Sequence, residues 1–153
     1  QHVEGLFPSD AGPLAASDEW TLVKGTGGSG SANWEMVDDG VADGGIDDDT
    51  TYVKAEASAL TDLYQFTDLQ RINGTINSVM QMIYARPQGS ATRQIKFVTD
   101  TFAGSERAES AAENIDLQTG YALYKTIHAR NPFSAGSWNE TSLNAALFGY
   151  ESQ

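Results

Sequence analysis

Ile76-Asn77-Ser78-Val79-Met80-Gln81-Met82-Ile83-Tyr84-Ala85 is the stretch that decides the fold. Ile76, Ser78, Met80, Met82 and Tyr84 fall on one side of a two-residue period, and Asn77, Val79, Gln81 and Ile83 on the other. No 3.6-residue stripe fits as well, so the segment predicts a β-strand. Arg86-Pro87-Gln88-Gly89-Ser90 follows with two strong turn residues, and Thr92–Thr101 resumes an extended pattern with Ile95, Phe97 and Thr99 on one face. The two segments read as a long hairpin. Farther out, Gly120–Ala129 alternates again, and shorter strands fit Glu19–Val23, Trp34–Val37, Thr51–Ala55 and Leu63–Phe66. Leu143–Tyr150 is a last apolar run, with Thr141 or Ser142 placed to cap one helical turn ahead of it. Only Ser105–Asn114 has a helical composition, and its apolar members are alanines, so it reads as an exposed turn or loop. Strands without alternating helices predict an all-β, antiparallel β-sandwich or barrel with long Gly/Asp-rich loops.

The 153 residues suit a single domain, 1–153, because a chain of about 150 residues buries roughly 68–70% of its unfolded surface and can hold a core unaided. There is no cysteine, which excludes disulfides, thiolate metal sites and thiol nucleophiles. The formal charge is −12, and it is confined: residues 1–70 carry 14 acidic and 2 basic side chains, while residues 71–153 carry 7 of each. Such a balance argues against nucleic acid or an anionic membrane as the main partner, since phosphate binding draws on Lys and Arg. No stretch approaches the ~18 apolar residues of a membrane helix. The first ten residues lack the basic and apolar runs of a secretion leader, and the acceptor patterns at Asn73 and Asn139 read as chance matches.

No enzyme is expected. The histidines are His2 and His128, the latter on a strand pattern, and no nucleophile elbow, phosphate-binding glycine loop or zinc-protease helix occurs. A glycosidase carboxylate pair is not singled out. Asp38, Asp39, Asp43, Asp47, Asp48 and Asp49 surround Gly40, Gly44 and Gly45 and form either a solvated acidic loop or a calcium loop, although the EF-hand spacing is absent. Trp20, Trp34 and Trp138 are either core anchors or a sugar-stacking platform.

Three segments together carry a resemblance. They are Leu6-Phe7-Pro8 followed by Trp20; Trp34–Asp39 running into Asp47-Asp48-Asp49-Thr50-Thr51-Tyr52-Val53; and Asn131-Pro132-Phe133-Ser134-Ala135-Gly136-Ser137-Trp138-Asn139-Glu140 leading to Leu143-Asn144-Ala145 and Gly149. This pattern resembles small virion proteins of tailed bacteriophages, a loosely defined family of jelly-roll β-sandwiches. The third segment departs from the family's Asp-Pro-x-Thr-Gly-x-x-Trp-Thr at Asn131, Ser134-Ala135 and Asn139. The resemblance implies a virion structural role, foremost an outer capsid decoration (cement) subunit bound to the major capsid protein, often as a homo-oligomer such as a trimer. The same resemblance admits a tail tip, fibre or adaptor component; a glycan-binding receptor-recognition module is the further alternative. Residues 1–14, with Val3, Leu6, Phe7 and Pro8, form a docking arm or an ordinary edge strand. In the turn of the third segment, Gly136 is expected at positive φ and Trp138 is expected to plug one end of the sandwich.

Overall fold

The computed structural model describes residues 4–11, 19–24, 31–37, 50–69, 75–89, 91–101, 107–109 and 115–153. Among the described residues, ten strands run in the order β1 (Pro8–Ala11), β2 (Thr21–Lys24), β3 (Thr51–Lys54), β4 (Thr61–Phe66), β5 (Val79–Ala85), β6 (Gln94–Thr101), β7 (Arg107–Glu109), β8 (Ile115–Asp116), β9 (Ala122–His128) and β10 (Ala146–Ser152). A 3-10 helix, Asn33–Met36, follows β2, and a short α-helix, α1 (Glu140–Asn144), precedes β10. Every strand pairing is antiparallel. The protein is all-β.

The main sheet has the order β1-β4-β10-β6-β7, with β8 also on β6; β5-β9 and β2-β3 are separate two-stranded ribbons. The pairings nest. β4 with β10 is outermost, then β5 with β9 (Val79↔His128 to Ala85↔Ala122), then β6 with β8 and β7. β10 also pairs with β6, in a seven-residue register from Ala146↔Thr101 to Ser152↔Ile95.

The hairpin expected between 76–85 and 92–101 does not form: β5 pairs with β9, and β6 with β10, β7 and β8. Burial gives the reason. β6 is buried at five of its eight positions, four of them consecutive (Phe97–Asp100), which needs cover on both faces, whereas β5 and β9 alternate exposed residues with half-buried ones, Gln81 alone among them being buried. The Arg86–Arg93 connection, with Pro87 buried, carries the chain from one layer to the other. Trp34–Val37, expected as a strand, is the 3-10 helix, because the Glu35 carboxylate reaches back to accept from the backbone N–H groups of Ser31 and Ala32 (2.9 Å to Ala32). The same N–H groups hold the Glu35 carboxyl below its ordinary range. Of Ser105–Asn114, residues Arg107–Glu109 are strand β7 and the rest lies outside the described residues.

Two clusters form the core. Leu69, Trp138, Leu143, Ala146 and Phe148 pack together with Leu6, Phe66, Ile76 and Val79 against them. Leu63, Val98 and Leu147 form the second, on the opposite face of the main sheet by strand alternation. Trp138 is 2% exposed, donates from Nε1 to the His128 carbonyl (3.1 Å) and bridges to Ile76, so it does plug the core. The turn before it closes through Asn131, whose side chain accepts from Phe133 N (2.9 Å) and whose carbonyl accepts from Ala135 N (2.9 Å). Positive φ falls on Ala135 (56°), and Gly136 is not among the positive-φ residues, which corrects the expectation. The cap of α1 is Asn139, accepting from Ser142 N (2.8 Å) while Ser142 Oγ accepts from Asn139 N (3.1 Å).

Candidate functional site

The β5–β9 ribbon has two chemically different faces. Inward, Gln81 is buried and its Nε2 donates to the carbonyls of Gly149 (2.5 Å) and Val98 (3.4 Å), the two central strands of the sheet beneath. Its Oε1 lies 3.3 Å from His128 Nε2, and the His128 ring meets Phe148 and Trp138 at centroid distances of 6.3 and 6.4 Å. Burial holds the His128 imidazole below its ordinary pKa. A buried amide satisfied by two sheet carbonyls fixes the register between the layers, because an unpaired amide in that position would cost about 1–3 kcal/mol.

Outward, the ribbon presents Met80 (47% exposed), Met82 (54%), Leu123 (59%) and Ile127 (60%), with Tyr84 beside them. The register sets Met80 opposite Ile127, Met82 opposite Lys125 and Tyr84 opposite Leu123, so these residues share one stripe. At its end Tyr84 stacks on Tyr121 (5.0 Å, 10°), and the Arg86 guanidinium lies 5.0 Å over the Tyr121 ring. No Asp or Glu occurs in residues 75–89 or 117–139, whereas Arg86, Lys125 and Arg130 do. The stripe exposes on the order of 500 Å² of mostly apolar surface, within the range of roughly 300–600 Å² of the largest patch on a monomer, where such patches are often functional.

A cleft of about 1860 Å³ is lined by residues of this stripe, Met80, Met82, Leu123 and Ile127 among them, and by Phe7, Trp20, Met36, Tyr52, Tyr64 and Phe66. It exceeds the ~300–1,000 Å³ of ordinary small-ligand sites. Tyr64 and Tyr150 on its floor share a hydroxyl–hydroxyl hydrogen bond (2.9 Å), Tyr64 donates to Asp62 Oδ2 (2.6 Å), and Asn33 Nδ2 donates to the same oxygen (3.0 Å). Burial, reinforced by Asp62 and by the neighbouring phenol, pushes the Tyr64 hydroxyl well up; burial and Asp62 do the same to Tyr150. Both phenols therefore stay protonated and act as donors, fastening β4, β10 and the 3-10 helix. Trp20 packs edge-on against Tyr150 (4.6 Å) and donates to the Leu60 carbonyl (2.9 Å).

The sequence-derived candidates distribute as follows. Asp38, Asp39, Asp43, Asp47, Asp48, Asp49 and Val3 lie outside the described residues. Among the described residues no group of three or more His, Asp or Glu side chains is placed to hold a metal ion, and no helix is long and apolar enough to cross a membrane. Pro8 belongs to β1 opposite Phe66, Leu6 packs on the core, and Phe7 is 40% exposed while its carbonyl accepts from Thr67 N (2.9 Å). Trp138 is core, and Trp20 and Trp34 are half-buried. The outward stripe of β5–β9 is the feature that periodicity did not assign. Its signal was the lack of any carboxylate across both strands of so acidic a chain.

No protein-family model, no curated protein and no solved structure matches this chain.

Proposed function

We propose that this protein is a structural subunit of a bacteriophage virion, an outer capsid decoration (cement) subunit that binds the shell and stabilises it. The observation that carries the reading is the exposed apolar stripe of β5–β9: a surface of that size on a small sandwich has the character of an assembly contact. The nested pairing supports the same reading. A jelly roll is a long hairpin rolled so that its outer strands lie side by side, and β4·β10, β5·β9 and β6·β8 nest in that order, with β10 brought against β6. The sequence resemblance to small virion proteins points the same way. Quantitative mass spectrometry of purified virions tests it: a copy number comparable to that of the major capsid protein is the expected result. A copy number far below it assigns the chain to the tail instead, and absence from the particle refutes a virion role.

A further inference from the structure

We propose that Met80 and Met82 form an oxidation site that sets the polarity of the outward stripe: a peroxide converts both thioethers to sulfoxides while the fold stays intact. The chain has three methionines and no cysteine, so thioethers are its only sulfur and no thiol consumes the oxidant first. The fold divides the three sharply. Met36, in the 3-10 helix on the wall of the cleft, shows 1% of its surface, whereas Met80 shows 47% and Met82 54%. Exposure thus differs about fiftyfold, and attack on Met36 must wait for local opening, while the outward pair meets solvent in the folded chain.

The chemistry needs the peroxide alone. A sulfur lone pair attacks one peroxide oxygen, and an S–O bond forms as the O–O bond breaks. For hydrogen peroxide the departing hydroxide takes the proton of the transferred hydroxyl and leaves as water; sulfur loses two electrons and the peroxide gains them. Each event turns an apolar side chain into one with a polar acceptor oxygen. Strand alternation sets the two sulfurs on the same face, with their backbone positions about 7 Å apart along β5, and between them Gln81 turns inward to the Gly149 and Val98 carbonyls. The sulfoxides therefore form on the solvent side and leave the bonds between the layers untouched. The register places Lys125 opposite Met82, as a donor for the new oxygen, and Ile127 opposite Met80. Oxidation thus puts polar groups in the stripe between Ile127 at one end and Leu123 with Tyr84 at the other, which splits one apolar surface into two smaller ones. Methionine sulfoxide reductases reverse the change. The inference stands on exposure and facing, and holds whatever partner the stripe meets.

Hydrogen peroxide treatment of the folded full chain, read by peptide mass spectrometry, tests the proposal. Met80 and Met82 should convert at least about tenfold faster than Met36, and in urea, where all three are open to solvent, they should convert at one rate. Retention on a phenyl column reads the stripe itself. The oxidised chain should elute earlier with an unchanged circular dichroism spectrum, and should return to its original position after treatment with the reductases for both sulfoxide epimers. Met80→Leu/Met82→Leu removes the sulfurs and keeps the apolar volume, so it should be retained as wild type is and show no shift with peroxide, whereas Met36→Leu should still shift. Conversion of Met36 as fast as that of the outward pair overturns the proposal. So does retention that oxidation leaves unchanged, a shift that persists in Met80→Leu/Met82→Leu, or loss of the folded spectrum on oxidation. None of these outcomes alters the copy number on virions, so this inference and the virion reading fail separately.

Discussion

Replacing Gly149 by alanine puts a methyl group where the fold has no room. A Cβ at this position would sit 1.8 Å from the Asp62 carbonyl oxygen, 2.8 Å from its carbon and 2.9 Å from Leu63 Cα, all of them backbone atoms. Ordinary contact begins at 3.4 Å, so β4 and β10 would have to separate locally by about 1.6 Å. A backbone hydrogen bond of about 2.9 Å stretched by that much is no longer one, and each buried group so orphaned costs about 1–3 kcal/mol. The displaced stretch includes the pairs Gly149↔Leu63 and Tyr150↔Asp62, and hence the Tyr150–Tyr64–Asp62 hydrogen bonds; the Gly149 carbonyl also receives Gln81. Losing two such groups gives a destabilisation of about 4 kcal/mol, against the roughly 0.4–1 kcal/mol that Gly→Ala contributes favourably through the unfolded chain. With a urea slope of about 2 kcal/mol/M, the unfolding midpoint should fall by about 2 M. Equilibrium unfolding followed by tryptophan fluorescence measures this, with Gly120→Ala as the control, since nothing lies within 4 Å of its added Cβ. A Gly149→Ala protein within about 1 kcal/mol of wild type would refute the packing of β10 against β4 described above.

Other perturbations have equally definite outcomes. Trp138→Ala removes the largest fully buried side chain and the indole that donates to the His128 carbonyl, and should cost about 3–5 kcal/mol in the same assay. Ala135→Gly relieves a left-handed residue at φ 56° and should be neutral or stabilising by up to about 1 kcal/mol, whereas Ala135→Val should be clearly destabilising. His128 has a folded pKa below its ordinary 6.5, so the unfolded chain takes up the proton first; stability is level above about pH 6.5 and falls as pH drops toward the folded value. His128→Gln should flatten the unfolding midpoint between pH 7.5 and 5.5 relative to wild type, and an unchanged slope would assign that pH dependence elsewhere. Met82→Ser, on the outward stripe at 54% exposure, should change the monomer's unfolding free energy by less than about 1 kcal/mol.

Strand positions were legible wherever alternation ran long. Val79–Ala85, Gln94–Thr101 and Ala122–His128 lie inside the segments read as strands. Partner choice was not legible, because a turn signal such as Pro87–Gly89 shows that the chain bends but not which layer it enters, and β5 and β6 differ in how many faces they bury. Trp34–Met36 shows a different limit: its apolar-polar-apolar pattern fits a strand, yet the Glu35 carboxylate, three residues beyond Ala32, closes a helical turn. Periodicity also separated Met80, Met82 and Tyr84 from Val79, Gln81 and Ile83 without saying which set is inside. The less apolar set is, because Gln81 finds two carbonyls to bond across the core.

The place of β10 bears on how the molecule is made. Residues 146–152 form the middle of the main sheet, joined to β6 by partners 45 to 57 positions earlier and to β4 by partners 84 to 90 positions earlier. Those contacts have a high sequence separation, so loop-closure entropy must be paid before they form, and slow folding in the millisecond-to-second range is expected. During synthesis β4 and β6 emerge with the gap between them unfilled, each offering a bare strand edge. Any extended segment can occupy that gap, including the same strand from a neighbouring chain. Strand exchange between nascent chains is therefore a hazard that this topology carries until β10 has been made.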